Sequence, residues 1–216
     1  MKIERRCGYP KKEWFENIET GEEYRRIVGG LAWPGHKPGF SVILGEELEE
    51  NKKLKLRHLR VLAEAEDFVV EALLRKSCEL AKEYSVDRFL GDIQNEGMMI
   101  LYRQFRGGEG LKPIILSNAP LPMNFNYYVQ TIKGHLSGEK KSLWFGPDSK
   151  LADFLSQLPP DQVLSSSIDD YPAITALGFA VAFLDRRPYI PSFVLPSGDR
   201  KKKIAASFAV KPLKEK

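Results

Sequence analysis

The residues of this sequence best suited to chemistry are acids at three junctions between predicted strands and helices. They are Asp92 at the end of a short apolar strand, Glu64 and Glu66 between a strand and a helix, and Asp169 and Asp170 before a helix. In open α/β sheets, ligands bind beyond the carboxyl ends of the strands. Carboxylate oxygens suit Mg²⁺ and Mn²⁺, and two such ions can activate a water for phosphodiester cleavage. If the strand ends converge, these five acids form an all-oxygen cluster for Mg²⁺ or Mn²⁺.

Each acid also has a structural interpretation. Acids such as Glu66 are favoured at the start of a helix by the helix dipole alone. Asp169 and Asp170 are good helix-entry residues ahead of Pro172, and Asp92 could cap the turn that leads to the next helix. The placement of acids at all three junctions is what favours the functional interpretation.

Other kinds of site lack their motifs. The sequence has no Gly-x-x-x-x-Gly-Lys-Ser/Thr loop, no Gly-x-Gly-x-x-Gly after a strand and no Gly-x-Ser-x-Gly elbow. The three histidines have no mutual ligand spacing, which argues against zinc. The glycine pairs Gly29-Gly30 and Gly107-Gly108 are interpreted as turn glycines.

Composition and charge narrow the class of protein. Of 216 residues, 43% are hydrophobic and 29% charged, no long apolar run is present, and the only cysteines are Cys7 and Cys78. We therefore expect a cytoplasmic protein with no membrane partner. Residues 199–216 hold seven Lys or Arg and two acids, which gives this tail a net charge of +5. The whole chain has a net charge of +4, so residues 1–198 sum to −1. The tail is either a solvated terminus or a contact for phosphate.

The chain changes character near residue 67. Before it, short apolar runs bounded by turn residues predict antiparallel strands at 24–32, 40–44 and 54–63. After it, apolar residues at three- and four-residue steps predict a helix over 67–84, and strands then alternate with helices. The later strands are predicted at 86–90, 112–116 and 142–145, and the later helices at 96–105, 125–136, 149–158 and 172–184.

A three-stranded meander followed by alternating helices and strands predicts one mixed sheet with helices on both faces. Ribonuclease-H-like domains, an α/β class, have this layout. We expect an N-terminal arm over 1–21, a ribonuclease-H-like domain over 22–190 and the basic tail over 191–216.

Three stretches resemble the nuclease domain of phage terminase large subunits, a ribonuclease-H-like domain that cuts DNA during packaging. They are Val28-Gly29-Gly30-Leu31-Ala32-Trp33-Pro34 with the following 38–44, the helix and strand over 79–92, and Asp169-Asp170-Tyr171-Pro172 with the helix that it opens. The resemblance implies that Asp92 and Asp169 or Asp170 are metal ligands. It also implies an Asp just before the proline of the first strand, where this sequence has Trp33.

Two functions follow from this comparison. The first is a metal-dependent DNA endonuclease in which Glu64 or Glu66 completes the site. The second is a catalytically inactive relative that binds DNA or another packaging or prophage protein. An indole cannot ligate Mg²⁺, so Trp33 favours the second function, whereas the retained acids favour the first.

Overall fold

The molecule is organised around an eight-stranded mixed sheet. The computed structural model describes residues 2–8, 13–47, 58–86, 88–105, 111, 113–118, 125–137, 142–157 and 170–185. The strands are β1 (Ile3–Arg6), β2 (Trp14–Asn17), β3 (Glu23–Ala32), β4 (Gly39–Glu47), β5 (Leu59–Asp67), β6 (Arg88–Gly91), β7 (Ile115–Asn118) and β8 (Leu143–Trp144). The helices are α1 (Val70–Glu83), α2 (Glu96–Gln104), α3 (Phe125–Ser137), α4 (Lys150–Gln157) and α5 (Pro172–Asp185).

The order of the central strands confirms the predicted ribonuclease-H-like sheet. Strands β3, β4 and β5 form an antiparallel meander. On the other side of β3, β6 pairs in parallel with β3 and β7 pairs in parallel with β6. The central order is therefore β5-β4-β3-β6-β7, and β8 adds a parallel pair at the outer edge of β5.

The N-terminal segment, expected only as an arm, contains two strands. Residues 3–6 and 14–17 form an antiparallel pair, and β2 also pairs with the start of β3 through Phe15 and Tyr24. The side chains of Ile3 and Phe15 are buried with those of the main core. The sequence of this segment shows no clear alternation, and its strand structure depends on pairing with β3.

The two faces of the sheet carry different helices. On one face, α5 packs with α3 and α4 over β3, β4 and β5. On the other face, α1 buries its apolar side through Leu73, Leu74 and Cys78. Helix α5 is the most deeply buried element, as its nearly uniform apolar sequence predicts, because it lies between the sheet and two other helices. Among the described residues, no helix is long and apolar enough to span a bilayer.

Gly29 and Gly30 are not turn glycines as the sequence suggested, because both lie within β3. A Cβ atom on Gly30 would lie 2.0 Å from the backbone oxygen of Ala176 in α5, and one on Gly29 would lie 2.3 Å from the Phe89 ring of β6. The two missing side chains therefore let α5 and Phe89 approach β3 from opposite faces.

A partly buried ion pair ties the first half of β3 to the last turn of α5. The Arg26 guanidinium donates to Glu46 at 2.6 Å and to the backbone oxygen of Leu184 at 2.5 Å. Glu46 is only 2% exposed. The Arg26 side chain thus pairs with a desolvated carboxylate and also binds a carbonyl in the last turn of α5.

Substitution of Gly30 tests the close contact between β3 and α5. We expect Gly30→Ala to lower the free energy of unfolding by about 3 kcal/mol or more, because a backbone carbonyl cannot move without moving α5. Gly134→Ala in α3 is the matched control. A Cβ there meets nothing within 4 Å, so this change should stabilise the protein by about 0.5–1 kcal/mol. Chemical denaturation measures both, and equal effects would contradict the packing argument.

Arg26→Met tests the buried ion pair. Removing the guanidinium removes the hydrogen bonds to the buried Glu46 carboxylate and to the Leu184 carbonyl together, so we expect a loss of about 3 kcal/mol in unfolding free energy. Arg6→Met is the control, since Arg6 pairs with Glu16 while its side chain is 43% exposed. That loss should stay below about 1 kcal/mol. A similar small loss for both variants in urea titrations would be the contrary result.

Candidate functional site

The carboxyl ends of β3 and β6 meet at one end of the sheet. Leu31 of β3 pairs with Gly91 of β6, and Asp92 follows directly. The indole Nε1–H of Trp33 donates to the backbone oxygen of Asp92 at 2.7 Å. The Asp92 carboxylate accepts from the backbone N–H of Gln94 at 2.8 Å. Asp92 therefore lies at the strand end, as its position after an apolar run predicted, and its side chain also supports the local turn.

The start of α5 lies at the same end of the sheet. His36 belongs to the connection between β3 and β4, and its Nε2 is 3.7 Å from a carboxylate oxygen of Asp170. Next to this pair, the Lys37 ammonium lies 4.6 Å from the centre of the Tyr171 ring. The structure thus brings Asp170 to the end of the sheet that carries Asp92. Asp169 lies outside the described residues.

Glu64 is bound by the start of α4. One of its carboxylate oxygens accepts from the Ser149 hydroxyl, and the other accepts from the backbone N–H of Leu151 at 3.3 Å. The first N–H groups of a helix lack intrahelical partners and carry partial positive charge. Glu64 therefore stabilises the N-terminus of α4 from a neighbouring strand.

Glu66 and Asp67 are also paired with basic side chains. The Lys150 ammonium donates to the Glu66 carboxylate. The Lys76 ammonium donates to Asp67 at 2.8 Å and to the backbone oxygen of Glu66 at 2.8 Å. The hydrogen bond from Lys76, with a further one from the backbone N–H of Val69, lowers the pKa of Asp67. These acids therefore hold β5 to α1 and α4.

A bulge in β5 determines which way Glu64 and Glu66 face. Ile43 of β4 pairs with Ala63, but the adjacent Leu44 pairs with Val61, so Leu62 is an extra residue. Regular alternation along β5 would place Leu59, Val61 and Ala63 on one face of the sheet. Instead, Ala63 lies with Leu62 on the α1 side, because the inserted residue reverses the alternation beyond it. Glu64 and Glu66 consequently lie on the α5 side, the side of Leu59 and Val61.

Two pockets lie next to these acids. The larger has a volume of about 430 Å³ and is lined by Lys37, Glu66, Phe154, Asp170 and Tyr171 together with apolar residues of β4 and α5. The second, of about 330 Å³, adjoins Glu64, Glu66, Asp148, Ser149 and Lys150. Asp92 lines neither pocket. The geometry therefore brings Glu66 together with Asp170 and with Glu64, but it leaves Asp92 beside Trp33.

The described residues do not fit a pair of divalent ions. Among them, no three or more His, Cys, Asp or Glu side chains are grouped so that they could hold one metal ion. Two close cations need several carboxylates to offset their mutual repulsion. Glu64 is bound by Ser149 just before α4, and Glu66 is paired with Lys150. Strand β3 ends at Ala32, which is followed by Trp33. The set Asp92, Asp169 and Asp170 stays a prediction because it includes a residue outside the described part.

Sequence reasoning missed the basic and hydroxyl groups that hold these acids. Ser149 and Lys150 come immediately before and at the start of α4. A serine at the start of a predicted helix is a common capping residue, and that signal could have drawn attention to Ser149. His36 and Lys37 carry no such signal. Their relation to Asp170 and Tyr171 joins parts of the chain more than 130 residues apart.

Comparisons with known proteins give similarity in structure only. No family model and no curated protein matches the chain. The large terminase from a thermophilic bacteriophage is 12% identical with a TM-score of 0.41, over 71% of this chain and 34% of the terminase. The fowlpox virus Holliday junction resolvase is 13% identical with a TM-score of 0.38, over 74% of this chain and 97% of the resolvase. This chain thus spans about a third of the terminase.

Proposed function

We propose that this chain is a DNA-binding protein with a nuclease-like fold that does not cut DNA by a two-metal mechanism. The observation that carries the proposal is the end of β3. Neither Ala32 nor Trp33 can ligate a divalent cation, and the Trp33 indole is engaged with the Asp92 backbone. A tryptophan in this role stabilises the junction of β3 and β6.

The contacts of Glu64 and Glu66 support the same proposal. Neither glutamate is free to replace a missing first-strand ligand without giving up a contact to α4. Glu64 would lose the Ser149 hydroxyl and the Leu151 N–H, and Glu66 would lose Lys150. Because these contacts offset carboxylate repulsion near the pocket, drawing the acids onto a metal would also destabilise the β5–α4 junction.

The charge distribution supports DNA as the partner. The tail over 199–216 carries +5, while the remainder of the chain sums to −1. Lys and Arg clusters bind phosphate through sequence-independent attraction that releases counterions. We therefore assign DNA contact chiefly to Arg200, Lys201, Lys202 and Lys203, with packaging or prophage proteins as further partners.

A second candidate is a metal-dependent endonuclease that uses Asp92, Asp169 and Asp170. The observation that favours it is that Asp92 and Asp170 lie at the same end of the sheet. Trp33 donates to the backbone of Asp92, and His36, three residues further along the chain, lies beside Asp170. Mg²⁺ or Mn²⁺ would supply an activated water there. This candidate function requires that Asp169, or a further carboxylate, lies close to both Asp92 and Asp170.

Incubation with supercoiled plasmid separates the two candidates. We expect the wild-type protein to leave the plasmid supercoiled in Mg²⁺ and in Mn²⁺, because β3 offers no carboxylate to a metal. The matched control is Asp92→Asn, which should behave identically. Nicking that requires metal and disappears in both Asp92→Asn and Asp170→Asn would establish the endonuclease instead.

Replacing tail lysines tests the DNA-binding part of the proposal. We expect the triple variant Lys201→Gln, Lys202→Gln, Lys203→Gln to bind a labelled duplex about tenfold more weakly at low salt, with a smaller loss of affinity between about 50 and 200 mM salt. Fluorescence anisotropy measures both quantities.

The matched control removes the same charge elsewhere, as Lys52→Gln, Lys53→Gln, Lys55→Gln. Equal affinities for the wild type and the tail variant across the salt series would remove the tail from the DNA contact. Equal weakening in both triple variants would indicate an effect of net charge alone.

A further inference from the structure

The larger of the two pockets has aromatic walls. It is lined by Phe40 of β4, by Phe154 of α4 and by Tyr171 just before α5. The rings of Phe40 and Phe154 meet edge to face, with their centres 6.2 Å apart and their planes at 83°. Phe40 is only 1% exposed, whereas Phe154 is 39% exposed. Because Phe154 lines the pocket and is also exposed, its ring offers an aromatic surface to a ligand.

Most of the remaining wall comes from the sheet and from a buried helix. Ala173 and Ile174 in the first turn of α5 are 7% and 0% exposed. Pro38 and Pro172 also line the pocket, and their rings restrict the backbone there. The wall is therefore formed by packing within the domain. Its volume of about 430 Å³ lies in the range of small-molecule sites and admits a group as large as a nucleobase.

The acids in the pocket wall each lie beside a basic side chain. The Lys150 ammonium donates to Glu66, and Nε2 of His36 is 3.7 Å from a carboxylate oxygen of Asp170. Lys37 is different, because it is exposed and its ammonium lies over an aromatic ring of the wall, 4.6 Å from the ring centre. The pocket thus combines an apolar interior and balanced carboxylates with one cation at its exposed edge.

We propose that this pocket takes the base of an unpaired nucleotide of DNA, which stacks on Phe154 while Lys37 contacts the phosphate. Every base is an uncharged planar ring, and stacking on aromatic side chains tolerates any sequence. An anion inside the pocket would be repelled by Glu66 and Asp170, so the phosphate stays at the edge beside Lys37. A hydrocarbon ligand would leave these charged groups without a role.

The pocket and the basic tail perform different tasks in this proposal. The tail attracts any phosphate backbone, whereas the pocket distinguishes a free base from a paired one. A base inside an intact duplex is stacked and paired, and taking it out costs free energy. The proposal rests on the DNA-binding function proposed above, and it names the form of DNA that the folded domain prefers.

The test compares two labelled duplexes of the same sequence, one fully paired and one with a single bulged adenine. We expect the wild-type protein to bind the bulged duplex about tenfold more tightly in fluorescence anisotropy titrations, because one base gains an aromatic stacking partner. Phe154→Ala should make the two affinities equal. Lys37→Gln should reduce the preference, because it removes the cation that contacts the phosphate of the unpaired nucleotide.

Three further variants are the controls. Phe154→Leu keeps apolar bulk beside Phe40 but has no ring, so it should lose the preference, and Phe154→Tyr should keep it. Trp144→Ala removes another exposed ring, 50% exposed, which pairs with Arg60 near the beginning of β5. It should leave the preference unchanged. Melting temperatures without DNA show that each variant is folded, and Phe154→Leu decides the matter if Phe154→Ala does not fold.

Each part of the proposal has its own contrary result. Equal wild-type affinities for the two duplexes would overturn the pocket assignment and leave the DNA-binding function standing. A preference that persists in folded Phe154→Leu, or that is lost in Trp144→Ala, would also overturn it. If free deoxyadenosine monophosphate binds as tightly as the bulged duplex and depends on Phe154, the ligand is a free nucleotide and the assignment to DNA fails. If neither duplex is bound, the proposed function fails as well.

Discussion

The candidate site depends on how closely α5 lies against β3. Gly30 permits this approach, because any side chain there would overlap the backbone of Ala176. The approach fixes α5 over the centre of the sheet and so determines where Ala173 and Asp170 lie relative to the end of β3. On the other face, Gly29 accommodates the Phe89 ring, which seats β6 beside β3. Gly29 and Gly30 therefore determine where Asp92, which follows β6, and Asp170, which precedes α5, lie at this end of the sheet.

The acids around the pockets are balanced by groups of the protein itself. Glu64 receives hydrogen bonds from the start of α4, and Glu66 is paired with Lys150. Asp67 is bound by Lys76 and Asp170 lies near His36. Carboxylates crowded at one sheet end repel one another unless a cation or N–H group lies between them. Here internal partners perform that role, which joins the acids to the architecture of the domain.

Two neighbouring residues at the end of β3 face opposite sides of the sheet and have different surroundings. Trp33 and Ala32 are neighbours, but Trp33 donates to the Asp92 backbone and packs in the core that includes α1, whereas Ala32 lies in the core that includes α5. A proline that follows both residues cannot indicate which of them faces a ligand. Their sides follow from strand alternation, and the identity of the side that faces the acids follows from where the helices pack.

The sequence by itself determined the elements from β3 onward and their order. Apolar spacing predicted α1 and the buried α5, the meander was correctly placed before the alternating units, and Asp92 was correctly assigned to a strand end. Only the tertiary structure decided that Gly29 and Gly30 are packing residues, and that the bulge at Leu62 turns Glu64 and Glu66 towards α5. The reason is physical. Periodicity records which residues of one segment share a face, whereas bulges, register and close backbone contacts depend on the partner strand or helix.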